Sequence, residues 1–413
     1  MPTLIRNIAV PRSLLADPDR FGGQIEGDLQ RGDLLISEDR VIGMTGTPPA
    51  EARVADGKGR ILLPGLVEPH LHLDKAFTLP RLPDVGGDLL AAIRAQEADK
   101  KNWTDDDLRA RAGRALAELV SAGVVHARTH VDWGNGADPT APPRAWGVLA
   151  ELAQDWADRI RLELSCLPDI DAFAEPAAAA RIAADVGRVG GTLGAWCLNH
   201  PRRARGFAAA FDLAASRGFA LDFHVDEGQG AELDGLETLA AAALRSGFEG
   251  PVLCGHAVSL TNLAGDRLAR LTEDLARARI SLCALPTTNL YLQSRGAGTP
   301  DRRGITRLAE AAARGVTPCL GTDNVQDAFY PLGRHDPLLT LATAVPALHL
   351  DPPFGAHLPL ITHLAARATG VEAGFVDRAR PSHLFLAEAV SLPGLVSAQP
   401  ARRPLFQGRG AVA

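Results

Sequence analysis

Cysteine is scarce in this 413-residue chain, and its pattern excludes two uses of it. Cys166, Cys197, Cys254, Cys283 and Cys319 are odd in number and widely spaced, with no CxxC among them. That argues against a disulfide framework and against a zinc-thiolate site. Buried free thiols in a reducing cytoplasm are the expectation, because most of these cysteines sit in apolar, strand-like runs. Also missing is any unbroken apolar run near the roughly 20 residues needed to span a bilayer. The opening MPTLIRNIAVPRSLLADP has no continuous apolar core of the signal-peptide kind. A cytoplasmic protein without a membrane partner is therefore expected. Basic stripes are absent too: 43 Lys and Arg are interleaved with 49 acids for a net charge of −6, so no nucleic-acid partner is expected. No internal repeat or low-complexity segment occurs.

What the chain does contain is an alternation. Residues 1–60 carry short runs such as LLISEDRVIGMTG, broken by Gly, Pro and Asp, which suit short antiparallel strands. From residue 61, apolar strand-like runs alternate with Ala-, Leu- and Arg-rich helical stretches. The strands are read at 61–73, 124–132, 159–168, 191–198, 220–227, 251–257, 280–286 and 317–324. Helices are read at 104–123, 234–247 and 304–315, the first with a capping box at Thr104 and Asp107 and a stop at Gly123. Eight such strands with helices between them predict an α/β fold, a closed (β/α)₈ TIM barrel over residues 61–371. A doubly wound open sheet is the alternative, and no GxGxxG follows the first strand to support it. After residue 371 the runs PSHLFLAEAV, LPGLVSA and PLFQGRG are again short and broken by Pro. They are expected to pair with residues 1–60, so that 1–60 and 372–413 form one small β-domain.

Polar residues crowd the C-terminal ends of the predicted strands: His70 and His72, His130 and Asp132, Asp169, His224 and Glu227, His256, then Asp323 and Asn324. In a parallel barrel those ends share one mouth, where catalytic groups collect. His70-Leu71-His72 puts two imidazoles on one side of a strand, able to reach one ion. Alone, two core histidines would explain it as well. With His224 and Asp323 added, the set becomes three imidazoles and a carboxylate, donors suited to Zn²⁺ or Fe²⁺, with room for a water whose pKa the ion would lower. Glu227 is placed to shuttle a proton, and His256 to orient the attack or to stabilise developing charge. A surface ion pair and a satisfied core histidine are their bland alternatives. A two-metal site bridged by a carboxylated lysine is not expected, since strands three and four contain no Lys. Lys75, after the first strand, is either a substrate contact or a loop or ion-pair lysine.

PGLVEPHLHLDKAF, RTHVD, HVDE, GHA, RRGIT and GTDNVQDAFYPLG, in this order over roughly residues 60–370, together resemble the amidohydrolase superfamily and, within it, the cytosine deaminase branch. The resemblance implies one Zn²⁺ or Fe²⁺ on His70, His72, His224 and Asp323, with Glu227 as proton shuttle and His256 and Asp323 activating water. It also implies a β-sandwich built from the two terminal segments, and a homo-oligomer. The motifs depart from cytosine deaminase in the pocket. Asp169 stands where that enzyme has a Gln, Asn324 where it has a second Asp, and Phe329 where it has a Trp. An ionised Asp accepts hydrogen bonds but donates none.

The expectation is thus a hydrolytic deaminase of an amino-substituted nitrogen heterocycle other than cytosine. Its substrate contacts are expected among Asp169, Asn324, Gln293, Phe329, Lys75 and His130. Gln293 belongs to the long segment NLYLQSRGAGTPDRRGITR after the seventh strand, which is expected to cover the mouth. Cleavage of an N-alkylamino-triazine or a cyclic amide is the first rival. A catalytically inactive ligand-binding barrel is the second, disfavoured because every expected ligand and shuttle position is filled.

Overall fold

The computed structural model describes residues 2–37, 39–45, 47, 49–83, 85–134, 136, 138–295, 303–407, 411 and 412. The eight barrel strands are Leu66–Leu71, Val124–Asp132, Arg161–Leu167, Leu193–Cys197, Leu221–Val225, Val252–His256, Ile280–Ala284 and Pro318–Leu320. Strands one to three pair in parallel, as do strands four to eight. Parallel bridges Ser165–Thr192 and Asp169–Trp196 join the third strand to the fourth, and Leu71–Asp323 joins the eighth to the first, closing the ring. Helices between the strands bury one face each on the barrel. Phe207 and Phe211, from the helix Arg203–Arg217, pack on Phe223 of the fifth strand with centroids 5.2 and 6.3 Å away. Full burial of such a side chain stabilises by about 1.5–3 kcal/mol.

Thr104 caps the helix Asp105–Ser121, its hydroxyl accepting from Asp107 N at 3.2 Å, and the Asp107 carboxylate turns to Arg81 and Arg111. Gly123, at φ 79°, takes the left-handed turn that ends the helix and leads into the second strand.

Three expectations are corrected. The run 61–73 is not one strand. Ile61–Pro64 pairs with Leu384–Ala387, and only Leu66–Leu71 enters the barrel. The stretch 304–315 is helical only over Leu308–Ala312, because the Thr306 hydroxyl reaches the His256 carbonyl and holds the preceding residues extended. LPGLVSA is a helix, Leu392–Ala398, rather than a strand: Ser391 caps it by accepting from Gly394 N, and Pro393 occupies its first turn, where no N–H is missed.

Strands from both ends of the chain form one branched sheet. Thr3–Pro11 lies antiparallel to Leu29–Ser37 and, against the antiparallel expectation, parallel to Arg53–Asp56 and to Ile61–Pro64. Leu384–Ala387 and Arg402–Pro404 extend it on the far side. No helix among the described residues is long and apolar enough to cross a membrane. All five cysteines are free and buried.

Candidate active site

The mouth at the C-terminal ends of the strands gathers His70, His72, His224, His256 and Asp323 into one buried cluster. His72 Nε2 lies 3.3 Å from Asp323 Oδ1 and 3.2 Å from His224 Nε2, and His70 Nε2 lies 3.6 Å from the same carboxylate oxygen. The rings of His70 and His224 are 4.3 Å apart. Burial, reinforced by the neighbouring imidazoles, drives the pKa of His70 and of His224 well below the usual histidine value. Burial and the Lys75 charge take His72 down to about 4. These rings are therefore neutral at pH 7, with lone pairs free for a metal. Burial pushes the Asp323 pKa up, but the close approach of the His72 ring and the nearby His256 outweigh it, so the carboxylate stays ionised.

The cluster leaves its polar atoms without partners. Both ring nitrogens of His70, Nδ1 of His72 and of His224, and both carboxylate oxygens of Asp323 are buried with no hydrogen-bond partner. So many orphaned polar atoms in one place, ionised carboxylate oxygens and imidazole lone pairs among them, are costly unless something positive sits there. Neutral imidazoles and a carboxylate are the donor set of a divalent cation. Ligand atoms of His70, His72, His130 and His224, and of His70, His256 and Asp323, each lie within 4.8 Å of one another, and the residues present thus form a divalent-metal-binding histidine/aspartate cluster.

The backbone is strained where it presents this chemistry. His256 (φ 65°) and Asp323 (φ 59°) occupy the left-handed region that non-glycine residues avoid. The second is held there by Asp323 N donating to the His70 carbonyl at 2.9 Å. Glu68, unremarked in the sequence, ties the same strands together from below. Its carboxyl accepts from His70 N at 3.0 Å and Thr322 N at 3.1 Å, and burial raises its pKa to about 8.

Glu227 follows the fifth strand. Its Oε1 lies 3.5 Å from His256 Nδ1 and has no hydrogen-bond partner, and burial raises its pKa to about 7. A carboxyl with that value can both take and give a proton near neutral pH. His256 Nδ1 is also 3.2 Å from Asn289 Oδ1, which fixes the ring.

Beside the cluster a pocket opens. His72, His224, Glu227, His256 and Asp323 form its floor. Trp133, Trp196, Leu89, Ile93 and Phe329 form apolar walls suited to a flat ring. Of the expected substrate contacts, Lys75, Asn324 and Phe329 line it. Lys75 Nζ is 2.7 Å from Asp132 Oδ1 and 4.8 Å from the centre of the Phe329 ring. Lys100 Nζ approaches the other Asp132 oxygen at 3.2 Å. Asn324 donates to Asp327 at 2.7 Å, and Asp327 in turn accepts from Phe329 N and Tyr330 N, shaping the turn that carries Phe329.

The other three expected contacts are not among the described residues lining this pocket. His130 is fully buried in the barrel interior, its ring centre 4.2 Å from that of His70 and its Nε2 3.1 Å from Asp222 Oδ1. Asp169 accepts from Asp171 N at 2.7 Å and lies 3.1 Å from His200 Nε2, so a local turn and a histidine occupy it. Gln293 donates to the Glu227 carbonyl at 3.3 Å, supporting the shuttle rather than forming the wall. Residues 296–302 of the same segment lie outside the described residues. What the sequence did not reveal is the helix Leu89–Asp99, which brings Leu89, Ile93, Gln96 and Glu97 to the pocket. It precedes no strand motif, and its apolar residues read as ordinary filler.

The sequence profile of the amidohydrolase family matches residues 105–375. The chain is 33% identical to a pterin deaminase of Rhizobium rhizogenes over 89% of its own length and 85% of the relative's. It is 24% identical to an N-isopropylammelide isopropyl amidohydrolase of a Pseudomonas species, covering 81% of this chain and 82% of that one. Among solved structures, 5-methylcytosine deaminase from Klebsiella pneumoniae bound to 5-fluorocytosine superposes with a TM-score of 0.81 at 27% identity, over 99% of this chain and 97% of that one. The fold, the metal-binding cluster and these matches make this chain a member of the amidohydrolase family, a metal-dependent hydrolase of carbon–nitrogen bonds. Within it, the chain falls in the cytosine deaminase-like branch and is related to the isopropylammelide hydrolases.

Proposed function

We propose that this enzyme hydrolyses the exocyclic amino group of a bicyclic amino-substituted nitrogen heterocycle of the pterin kind, releasing ammonia. The observation that carries the chemistry is Glu227, with a pKa near 7, opening onto one pocket with the neutral histidines and ionised Asp323. The 33% identity to a pterin deaminase and the apolar walls of Trp133, Trp196 and Phe329 support the ring class.

His70, His72, His224 and Asp323 would hold the ion, which when bound supplies a water ionised near neutral pH. Glu227 Oε1 takes a proton from the attacking water and delivers it to the departing amino nitrogen. A C–O bond forms at the ring carbon, the C–N bond breaks, and the nitrogen leaves as ammonia. His256, beside Glu227, stabilises the charge that develops on the oxygen. Lys75, Asn324 and Phe329 contact the ring.

The remaining parts of the proposal are a cytoplasmic location, supported by five buried free thiols, a homo-oligomeric state, and a division into a barrel (61–371) and a terminal β-domain (1–60 with 372–413), supported by the sheet drawn from both ends, with Ile61–Pro64 passing to the terminal domain. The function is tested by measuring ammonia release by Zn-, Fe- and Mn-loaded enzyme across pterins, amino-pyrimidines, amino-purines and amino-triazines. Release from a pterin, lost in His224→Ala and Glu227→Gln, is expected. Release of an alkylamine from an N-alkylamino-triazine instead would transfer the assignment to that class.

A further inference from the structure

Gln96 is the one side-chain amide of the helix Leu89–Asp99 among the described residues lining the pocket, and it is 1% exposed. One end of this amide is partnered and the other is not. Its Oε1 position lies 3.3 Å from Thr78 Oγ1, while its Nε2 position is buried with no hydrogen-bond partner. A buried amide end without a partner, on a residue that lines a ligand pocket, is costly in the free protein and can be satisfied when a ligand supplies the complement.

The polarity of that open end follows from counting protons. Thr78 Oγ1 also lies 2.8 Å from the Lys75 carbonyl, which can only accept. A hydroxyl has one proton, and the shorter contact to the carbonyl takes it. Toward Gln96 the hydroxyl then offers a lone pair. The two ends of an amide are assigned from such networks, and this one is better matched when the NH₂ faces Thr78 and the oxygen takes the unpartnered position. Thr78 is itself fully buried and cannot turn to solvent.

We propose that Gln96 is a specificity-determining residue whose side-chain oxygen accepts a hydrogen bond from a ring N–H of the substrate, with Thr78 setting the direction of the amide. The inference deepens the proposed function and rests on it for the ring class. It takes over the role expected of Asp169, which points elsewhere, and it selects rings bearing a lactam N–H over rings whose nitrogens all accept.

The test is equilibrium binding, followed by the intrinsic fluorescence of pterin and of 3-methylpterin, which lacks the ring N–H. Binding is measured on the metal-loaded Glu227→Gln protein, in which turnover is lost, with and without Gln96→Met, Thr78→Val and Thr78→Ser, and kcat and KM are measured on the same substitutions with Glu227 intact. With Gln96 and Thr78 in place, the protein is expected to prefer pterin by about tenfold. That preference should fall to about twofold or less in Gln96→Met and Thr78→Val, persist in Thr78→Ser, and appear in KM rather than kcat. Unchanged melting midpoints will show that the variants fold. A preference that survives in Gln96→Met, or is absent with Gln96 and Thr78 in place, would overturn the inference. If cytosine is the ring turned over, cytosine and 1-methylcytosine replace the pair under the same criteria. Discriminating binding without ammonia release by the protein with Glu227 intact would overturn the deaminase reading and leave the role of Gln96 standing.

Discussion

Gly255 packs so closely on His70 that a β-carbon at position 255 would lie 2.6 Å from Cε1 of that ring. The sixth strand therefore fixes where a first-strand histidine can stand, and only a residue without a side chain permits the approach. Gly255→Ala should leave the barrel folded but displace His70. Its metal affinity, measured by competition with a chromogenic chelator, should fall about 10–100-fold, as for loss of a supporting contact. Unchanged affinity would mean that His70 is not a ligand.

Glu227 should govern the acid limb of activity. Its pKa is raised from 4.5 to about 7 by burial, so its proton-accepting form appears as pH rises through that value. kcat/KM should climb through about pH 7, and Glu227→Gln should abolish the limb and cost about 10²–10⁴-fold in rate. In the metal-free protein the sign for stability is opposite. A carboxyl that binds its proton more tightly folded than unfolded contributes stability below pH 4.5, which is lost as pH rises through about 7. Thermal unfolding of metal-free wild type and Glu227→Gln across pH 5–8 checks this, with the variant expected to lose less on the way up.

Metal removal should unmask the cost of the orphaned cluster. Chelation should lower the melting midpoint, and readdition of Zn²⁺ or Fe²⁺ should restore it, rising with the logarithm of free metal once the site is saturated, because a ligand that binds only the folded state stabilises by mass action. His224→Ala should show no such metal-dependent shift.

Asp169→Ala should have little effect on catalysis. The side chain serves a local turn and His200. The expected cost is about 1 kcal/mol of stability from the lost cap, with kcat/KM nearly unchanged. A large loss of kcat/KM would place Asp169 against the substrate after all.

Asp222→Ala tests the barrel interior. Arg128 Nη1 and Asp222 Oδ2 are 2.9 Å apart with both side chains fully buried, and Asp222 also faces His130. Removing the carboxylate leaves Arg128 Nη1 without its partner, while Nη2 keeps Glu163 and the Thr369 carbonyl, and should cost about 1.5–3 kcal/mol, read by urea unfolding. A loss below 1 kcal/mol would show that water reaches Arg128.

The sequence by itself determined what strand periodicity and local spacing can carry. Eight apolar runs bearing polar residues at their C-terminal ends specify a parallel barrel, because buried strands leave only their ends free for chemistry. His70 and His72 are two apart on one strand, so their convergence was legible from strand geometry alone, whereas Glu227, three beyond His224, follows a strand that ends at Val225 and a left-handed turn at Asp226. Tertiary structure decided which way side chains point from loops and interior layers. Asp169 turns to its own backbone and to His200, and His130 sinks beside His70. Gln96 enters from a helix with no motif, its amide oriented by a single hydroxyl proton on Thr78. Those outcomes depend on which buried polar group finds a partner among residues distant in the chain, and no local pattern of residues encodes that competition.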